Sequence, residues 1–243
     1  MPLELLCGES AVDLQYKGLF LLAADGVAGL TTDSVLLASF TRAYTSERAV
    51  ELCSGGGGIA ILLHARTGCT VTGIEISEKA AELSRRSLLY NNITGIEFHT
   101  MDLKDAPKSL GHGKFDLALC NPPYFTAGKV SPETERALAR HEGGCTLYDV
   151  CTSVSALLKN GGRFSMIYPA ESMDSAFSAL AECGLAPKRV RLVLPKQNAA
   201  PRRVLIEAKK GAKPGLTFEP CLVMHGENGD YTDEMKRIYH MEG

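Results

Sequence analysis

The stretch Asn121-Pro122-Pro123-Tyr124 has the residue types and spacing best suited to chemistry in this 243-residue sequence. It follows the apolar run 115–120, which is typical of a short buried strand. Each proline fixes its own φ and removes a backbone N–H, and the residue before a proline is held extended. The Asn121 amide and the neighbouring carbonyls are therefore aimed in a fixed direction beside an aromatic ring. This arrangement is suited to holding a planar group by its edge and its face.

A glycine-rich loop between acidic positions forms a second group. Residues 51–58 read Glu-Leu-Cys-Ser-Gly-Gly-Gly-Gly, and glycines there permit a sharp turn and the close approach of a ligand. Glu75 ends the next predicted strand, where a carboxylate is the expected acceptor for a ribose diol. Asp102 follows the third strand and is placed to accept a hydrogen bond from an adenine amino group. Together these residues predict a nucleoside site.

The acid before the loop separates two cofactors. A pyrophosphate-binding loop reads G-x-G-x-x-G and holds the anion at a helix N-terminus. Glu51 lies just before this loop, where its charge would repel phosphate and attract the ammonium of a methionine moiety. The pattern favours S-adenosylmethionine and argues against an NAD-dependent oxidoreductase.

The elements that position these residues alternate from about residue 46. Seven strands are predicted, at 49–52, 70–75, 95–99, 115–120, 163–168, 188–194 and 202–209. Helices are predicted at 59–65, 77–90 with Ser77 as cap, 146–159 ended by Asn160-Gly161-Gly162, and 171–182. Strands that alternate with helices predict an α/β, doubly wound and mostly parallel sheet.

Three regions are expected along the chain. Residues 1–45 form an N-terminal extension with a hairpin and a helix that is capped near Thr31. Residues 46–215 form the core, and residues 216–243 form a tail with a short helix. No linker is long enough to split the core into two domains.

Composition excludes several protein classes. The net charge of −2 gives no global sign of nucleic-acid binding, and no apolar run is long enough for a membrane span. The eight cysteines include no C-x-x-C pair and are predicted to be reduced core residues. The spacing of His141, Cys145 and Cys151 does not make a metal site. A soluble cytoplasmic protein without a signal peptide is expected.

Local charge differs from the total. Residues 185–215 contain nine lysines and arginines against one acid, Glu207. Such a stripe is typical of a phosphate-binding face, although it is also compatible with a solvated strand-and-loop surface. Lys129, Arg136 and Arg140 could extend the stripe. The predicted RNA contacts are Lys188, Arg189, Arg191, Lys196, Arg202 and Arg203.

The order of these motifs resembles that of class I S-adenosylmethionine-dependent methyltransferases that methylate amino groups, and with it comes their Rossmann-like fold. Residues 32–38, 202–211 and 229–232 are similar to segments of the bacterial tRNA1(Val) (adenine-37-N6)-methyltransferase family. The resemblance implies that Asn121, Pro122 and Tyr124 are catalytic, with the Asn121 oxygen and the Pro122 carbonyl accepting hydrogen bonds from the target amine. The cofactor contacts that it implies are Asp33, Glu51, Cys53, Ser54, Gly55, Gly57, Glu75, Ile76, Asp102, Leu103 and Asn121. The family usually has Gly where this chain has Cys53 and Asp where it has Glu51.

The expected function is methylation of adenine N6 in RNA, most of all in the anticodon loop of tRNA. S-adenosylmethionine is the expected cofactor and S-adenosylhomocysteine the product, with no metal and no obligate protein partner. Tyr124 would stack on the base, which contributes about 1–3 kcal/mol. Alternatives are methylation of a glutamine amide in a release factor, and a non-catalytic S-adenosylmethionine-binding module that grips RNA. A DNA adenine methyltransferase would need a target-recognition region for which there is little room.

Overall fold

The computed structural model describes residues 4–27, 29–122 and 145–241, and within these ranges nine strands form one central sheet. The N-terminal hairpin forms a separate two-stranded antiparallel sheet. In chain order the strands are β1 (Glu9–Asp13), β2 (Phe20–Ala24), β3 (Arg48–Leu52), β4 (Thr70–Glu75), β5 (Ile96–Thr100), β6 (Phe115–Cys120), β7 (Leu158–Pro169), β8 (Leu185–Lys196), β9 (Arg203–Lys210), β10 (Thr217–Phe218) and β11 (Leu222–His225). The spatial order of the central sheet is β10-β8-β9-β7-β6-β3-β4-β5, and β11 pairs with β8.

The predicted doubly wound, mostly parallel sheet is confirmed. Five strands, in the spatial order β5-β4-β3-β6-β7, pair in parallel. Strand β9 runs antiparallel to both β7 and β8. The predicted number of seven strands is wrong, because the described tail adds β10 and β11 to one edge. Strand β10 has only two residues, both exposed, so no alternation of polar and apolar residues could reveal it.

Helices cover both faces of the sheet. They are α1 (Thr32–Phe40), α2 (Gly58–Thr67), α3 (Glu78–Tyr90), α4 (Ala106–Leu110), α5 (Leu147–Leu157), α6 (Met173–Glu182) and α7 (Asp233–Ile238), with a 3₁₀ turn at Ala170–Ser172. The predicted caps are confirmed at Thr31, whose hydroxyl accepts from the Ser34 N–H at 3.2 Å, and at Ser77, which accepts from the Ala80 N–H at 3.3 Å. These caps satisfy backbone donors that a helix start leaves open.

The predicted end of α5 at Asn160-Gly161-Gly162 is wrong. The helix ends at Leu157, and the strand β7 begins with the next residue. The register between β6 and β7 shifts between Phe115 and Leu117, and Gly161 has a φ of 79°. Gly161 therefore belongs to an irregular start of the strand. Its sequence resembles a helix C-cap because both structures need a residue with left-handed backbone.

Two hydrophobic clusters fill the spaces on either side of the sheet. One is built mainly from α5, α6 and the strands they cover, with Phe164 and Val154 fully buried. The other lies around α1 and α2, and it includes Leu21 of the hairpin and Met235 of α7. The N-terminal extension and the tail thus pack on the same face as α1 and α2. Among the described residues, no helix combines the length and the apolar character needed to cross a membrane.

Candidate active site

The predicted site residues meet at the carboxyl edge of the sheet. Leu52, the last residue of β3, is paired with Ile74 of β4 on one side and with Cys120 of β6 on the other. The strand order reverses between β3 and β6, which is the switch point where open α/β sheets bind ligands. The loop after β3, Glu75, Asp102 and Asn121 therefore lie on neighbouring strand ends.

The loop after β3 turns through left-handed backbone. The φ angles are 56° at Cys53, 52° at Gly55 and 82° at Gly57. A Cβ on Gly57 would lie 2.5 Å from Phe98 Cζ, so that only glycine fits there. Helix α2 begins directly afterwards and has no side-chain cap at Gly57.

Glu51 is the most deeply buried acid of the site, with 0% of its surface exposed. Its Oε2 accepts a hydrogen bond from the Ala60 N–H in the first turn of α2 at 3.0 Å. Its Oε1 is buried and has no hydrogen-bond partner. Burial raises the pKa of Glu51 to about 8, with a further contribution from the Glu75 carboxylate and an opposing one from the Ala60 N–H.

Glu75 holds the glycine loop from the next strand. One carboxylate oxygen accepts from the Gly55 N–H at 2.8 Å and the other from the Ser77 N–H at 3.0 Å. A carboxylate has about four acceptor sites, so each oxygen can still accept a ligand hydroxyl. Glu75 is thus suited both to ordering the loop and to binding a diol.

The remaining predicted cofactor contacts differ in exposure. The neighbour of Glu75, Ile76, is 66% exposed although it is apolar, whereas Leu103 is 6% exposed and belongs to the core beneath the site. Asp102 is partly exposed, and it accepts from the Lys104 N–H at 2.9 Å. The Ser54 Oγ is buried without a hydrogen-bond partner. The exposed apolar side chain of Ile76, next to the carboxylate oxygens of Glu75, fits a flat ligand with polar edges.

The structure describes two residues of the N-P-P-Y stretch. Asn121 is half-buried directly after β6, and Pro122 is buried. Pro123 and Tyr124 lie outside the described residues, as do Lys129, Arg136, Arg140 and His141.

The thiols of three cysteines lie close together beside the loop. The prediction that the cysteines are reduced core residues did not indicate this cluster. The thiols of Cys53, Cys145 and Cys120, the residue before Asn121, lie close enough to affect one another's pKa. The Cys120 thiol, together with burial, raises the pKa of Cys53 well above its ordinary value. The positions of Cys53 and Cys120 at the ends of two adjacent strands are the pattern in the sequence that could have predicted the cluster.

Asp33 and Arg203 are bound to each other. The Arg203 Nε lies 2.8 Å from the Asp33 Oδ2 and joins the start of β9 to the first turn of α1. The family resemblance implies that Asp33 binds the cofactor, and the basic segment predicts that Arg203 binds RNA. In the structure the two side chains bind each other, next to β9, which is the neighbour of β7 in the sheet.

The other predicted RNA contacts separate into two groups. Arg189 is 7% exposed and forms ion pairs with Glu207 at 3.0 Å and Glu219 at 3.1 Å. Arg191 binds Glu234 at 2.7 Å, and the Lys188 Nζ donates to a backbone carbonyl at 3.1 Å. Acids outside residues 185–215 thus neutralise part of the positive charge of the segment.

Lys196 and Arg202 form the second group. Both are exposed, and they flank the loop between β8 and β9. Strand β8 runs parallel to β7, because β9 is antiparallel to both, so this loop lies at the carboxyl edge of the sheet with the site.

The site residues fit S-adenosylmethionine. The buried, unpartnered oxygen of Glu51 is a place for an ammonium group, since a buried acceptor without a partner is unfavourable. Glu75, whose two oxygens each accept one backbone hydrogen bond, has acceptor capacity left for a nucleoside.

Comparisons with known proteins identify the family of this chain. A family model described as a methyltransferase domain matches residues 45–215. A tRNA1(Val) (adenine(37)-N6)-methyltransferase from Bacteroides fragilis is 32% identical over 72% of this chain and 74% of its own. One of the same name from Shewanella amazonensis is 31% identical over 86% of this chain and 89% of its own.

Similarity extends to solved structures. The crystal structure of a predicted O-methyltransferase from Agrobacterium tumefaciens matches with a TM-score of 0.71 and 25% identity, over 86% of this chain and 96% of that one. Site geometry, family model and relatives agree in the reaction class. The chain belongs to the methyltransferase-domain family and is an S-adenosylmethionine-dependent methyltransferase.

Proposed function

We propose that this enzyme methylates the N6 amine of an adenine in tRNA, with S-adenosylhomocysteine as the second product. Relatives named for adenine-37 of tRNA1(Val) match most of the chain. The observation that supports the proposal most is the position of Asn121. It is the first residue after β6, beside the loop that follows β3 at the switch point of the sheet.

The proposed chemistry depends on fixed hydrogen-bond acceptors. An exocyclic adenine amine is a weak nucleophile because its lone pair is delocalised into the ring. The side-chain oxygen of Asn121 and the carbonyl of Pro122 would accept hydrogen bonds from the two N–H groups and return electron density to nitrogen. The bound cofactor supplies an electrophilic methyl group. Because a strand end and two prolines hold the acceptors, their dipoles need little reorganisation as charge develops.

No strong base is needed before attack, because the amine carries no extra proton at neutral pH. After the methyl group has moved from sulfur to nitrogen, the methylated nitrogen releases one proton to solvent. Positioning and dipoles therefore suffice, and the proposed reaction requires no metal ion. Tyr124 would stack on the adenine, which must first leave its own stack, and this is easier in an RNA loop than in a duplex.

The proposed RNA surface is smaller than the basic segment. Lys196 and Arg202 are exposed at the carboxyl edge, and we assign phosphate contacts to them. Arg189 and Arg191 are engaged in ion pairs with acids of this chain. A tRNA substrate also makes the cytoplasm the expected location.

The test is transfer of labelled methyl groups to an unmodified tRNA1(Val) transcript in the presence of a chelator. We expect transfer to adenine-37, none to a transcript with guanine at that position, and a loss of at least about 100-fold in kcat for Asn121→Ala, in line with the removal of one stabilising dipole. Asn228→Ala, in a tail turn, is the matched control and should retain activity.

Two outcomes would contradict the proposal. Label in a release factor but not in tRNA would favour the glutamine amide alternative. Binding of tRNA and cofactor without any transfer would favour the non-catalytic module. Mass mapping of the labelled nucleoside identifies the methylated position.

A further inference from the structure

The carboxyl group of Glu51 is buried in surroundings that do not compensate a negative charge. It lies on β3 between Gly73 of β4 and Leu119 of β6, and its surface is fully covered. The Ala60 N–H binds one oxygen, and the other has no partner. Within the described residues, no lysine, arginine or histidine forms an ion pair with it.

Within the described residues, the ionisable groups that act on Glu51 are an acid, Glu75 of β4, and a thiol, Cys120 of β6. The favourable contribution comes from the N-terminus of α2, where the helix dipole favours an anion. This contribution is smaller than the cost of removing a carboxylate from water.

We propose that Glu51 is neutral in the ligand-free enzyme and releases its proton to solvent when a ligand with an ammonium group binds, which makes the site selective for cationic amino-acid moieties. The neutral carboxyl group loses H⁺ to the buffer, and the resulting carboxylate pairs with the ammonium, so that the pair is buried without net charge. The proposal depends on cofactor binding alone, and it stands or falls independently of the RNA substrate.

Glu51 would thereby act as a specificity residue. A ligand without the ammonium group gives the anion no counter-charge, so the carboxyl group keeps its proton. S-adenosylhomocysteine has the ammonium but lacks the sulfonium charge, and 5′-methylthioadenosine lacks the whole amino-acid moiety. Comparing the two therefore assigns the trigger of proton release to the amino-acid moiety that carries the ammonium.

The test is calorimetric titration of the complete protein with S-adenosylhomocysteine at pH 6.5 and 7.0 in buffers of different ionisation enthalpy. We expect release of nearly one proton and an affinity that rises about tenfold for each pH unit in this range. An α-amino group has a pKa of about 7.7–8.0, so the ligand itself is largely charged there. Methylthioadenosine should bind without release.

Two variants separate Glu51 from its surroundings. Glu51→Gln should abolish proton release and weaken binding, because the amide cannot supply a counter-charge. Glu82→Gln is the matched control, since it makes the same substitution at an exposed glutamate of α3 and should retain release of nearly one proton. Buffer-independent heats in the unaltered enzyme, or undiminished release in Glu51→Gln, would overturn the proposal.

A second measurement covers the case in which Glu51→Gln does not bind or fold. In protein labelled with ¹³C at the glutamate carboxyl carbons, one resonance of the ligand-free enzyme should titrate above pH 7. Adding S-adenosylhomocysteine at pH 7 should move it to its ionised position. If every glutamate titrates below pH 6 in the ligand-free enzyme, Glu51 is already charged and the proposal is wrong.

Discussion

Cys53 combines a side chain with backbone that favours glycine. Its φ of 56° lies in the left-handed region, which costs a residue with a Cβ about 1–2 kcal/mol. The family resemblance implies Gly at this position. The cysteine therefore introduces strain beside the cofactor loop and adds a thiol close to those of Cys120 and Cys145.

Two substitutions separate the backbone effect from the loss of the thiol. Cys53→Ala removes the thiol and keeps the Cβ, whereas Cys53→Gly removes both. We expect Cys53→Gly to be more stable than Cys53→Ala by about 1 kcal/mol in urea unfolding, because glycine adopts this φ without steric conflict. Equal stability of the two variants would mean that the loop relaxes around the Cβ.

The acidic residues of the site could be predicted because they depend on local order alone. Glu51, Glu75 and Asp102 each lie at the end of a strand or just beyond one, and the ends of adjacent parallel strands meet at one edge. The partners of Arg189 could not be predicted. Glu219 is 30 residues away and Phe40, whose ring the guanidinium covers at 3.7 Å, is 149 residues away. Only the folded sheet brings them together.

At the scale of elements, the loop between β3 and α2 depends on close packing against β5. Phe98 of β5 lies under Gly57, and its ring also occupies the place that a Cβ on Gly73 would need. The same aromatic ring therefore packs against both the loop at Gly57 and the neighbouring strand at Gly73. Sequence patterns revealed the strands and the glycines but not this contact, which joins two elements 41 residues apart.

Gly57→Ala tests the packing of this loop. The new Cβ would meet Phe98 and would also require left-handed backbone, so we expect a loss of about 3 kcal/mol in unfolding free energy and weaker cofactor binding. Gly229→Ala is the matched control, because Gly229 has a φ of 89° but no atom within 4 Å of its Cβ position. It should lose only about 1 kcal/mol. Equal losses would assign the whole effect to backbone strain.

At the scale of the whole molecule, the tail neutralises part of the basic segment. Glu219 binds Arg189 and Glu234 binds Arg191, while β10 and β11 extend the edge of the sheet. The local excess of positive charge in residues 185–215 is therefore not an exposed field of the same size. The net charge of a sequence segment predicts the charge of the surface it forms only when no acids from other segments pair with its basic residues.

The salt dependence of tRNA binding tests which basic residues remain for RNA. If Lys196 and Arg202 contact phosphates, replacing either one with alanine should reduce the slope of log affinity against log salt by about 0.7–0.9. Arg191→Gln is the matched control, since it removes a positive charge from the same strand but one that is bound to Glu234. Its slope should be unchanged, while its stability falls slightly. A smaller slope for Arg191→Gln than for Lys196→Ala would place the phosphate contacts at Arg191, in the interior of β8. They would then lie away from the carboxyl edge of the sheet, where Asn121 lies.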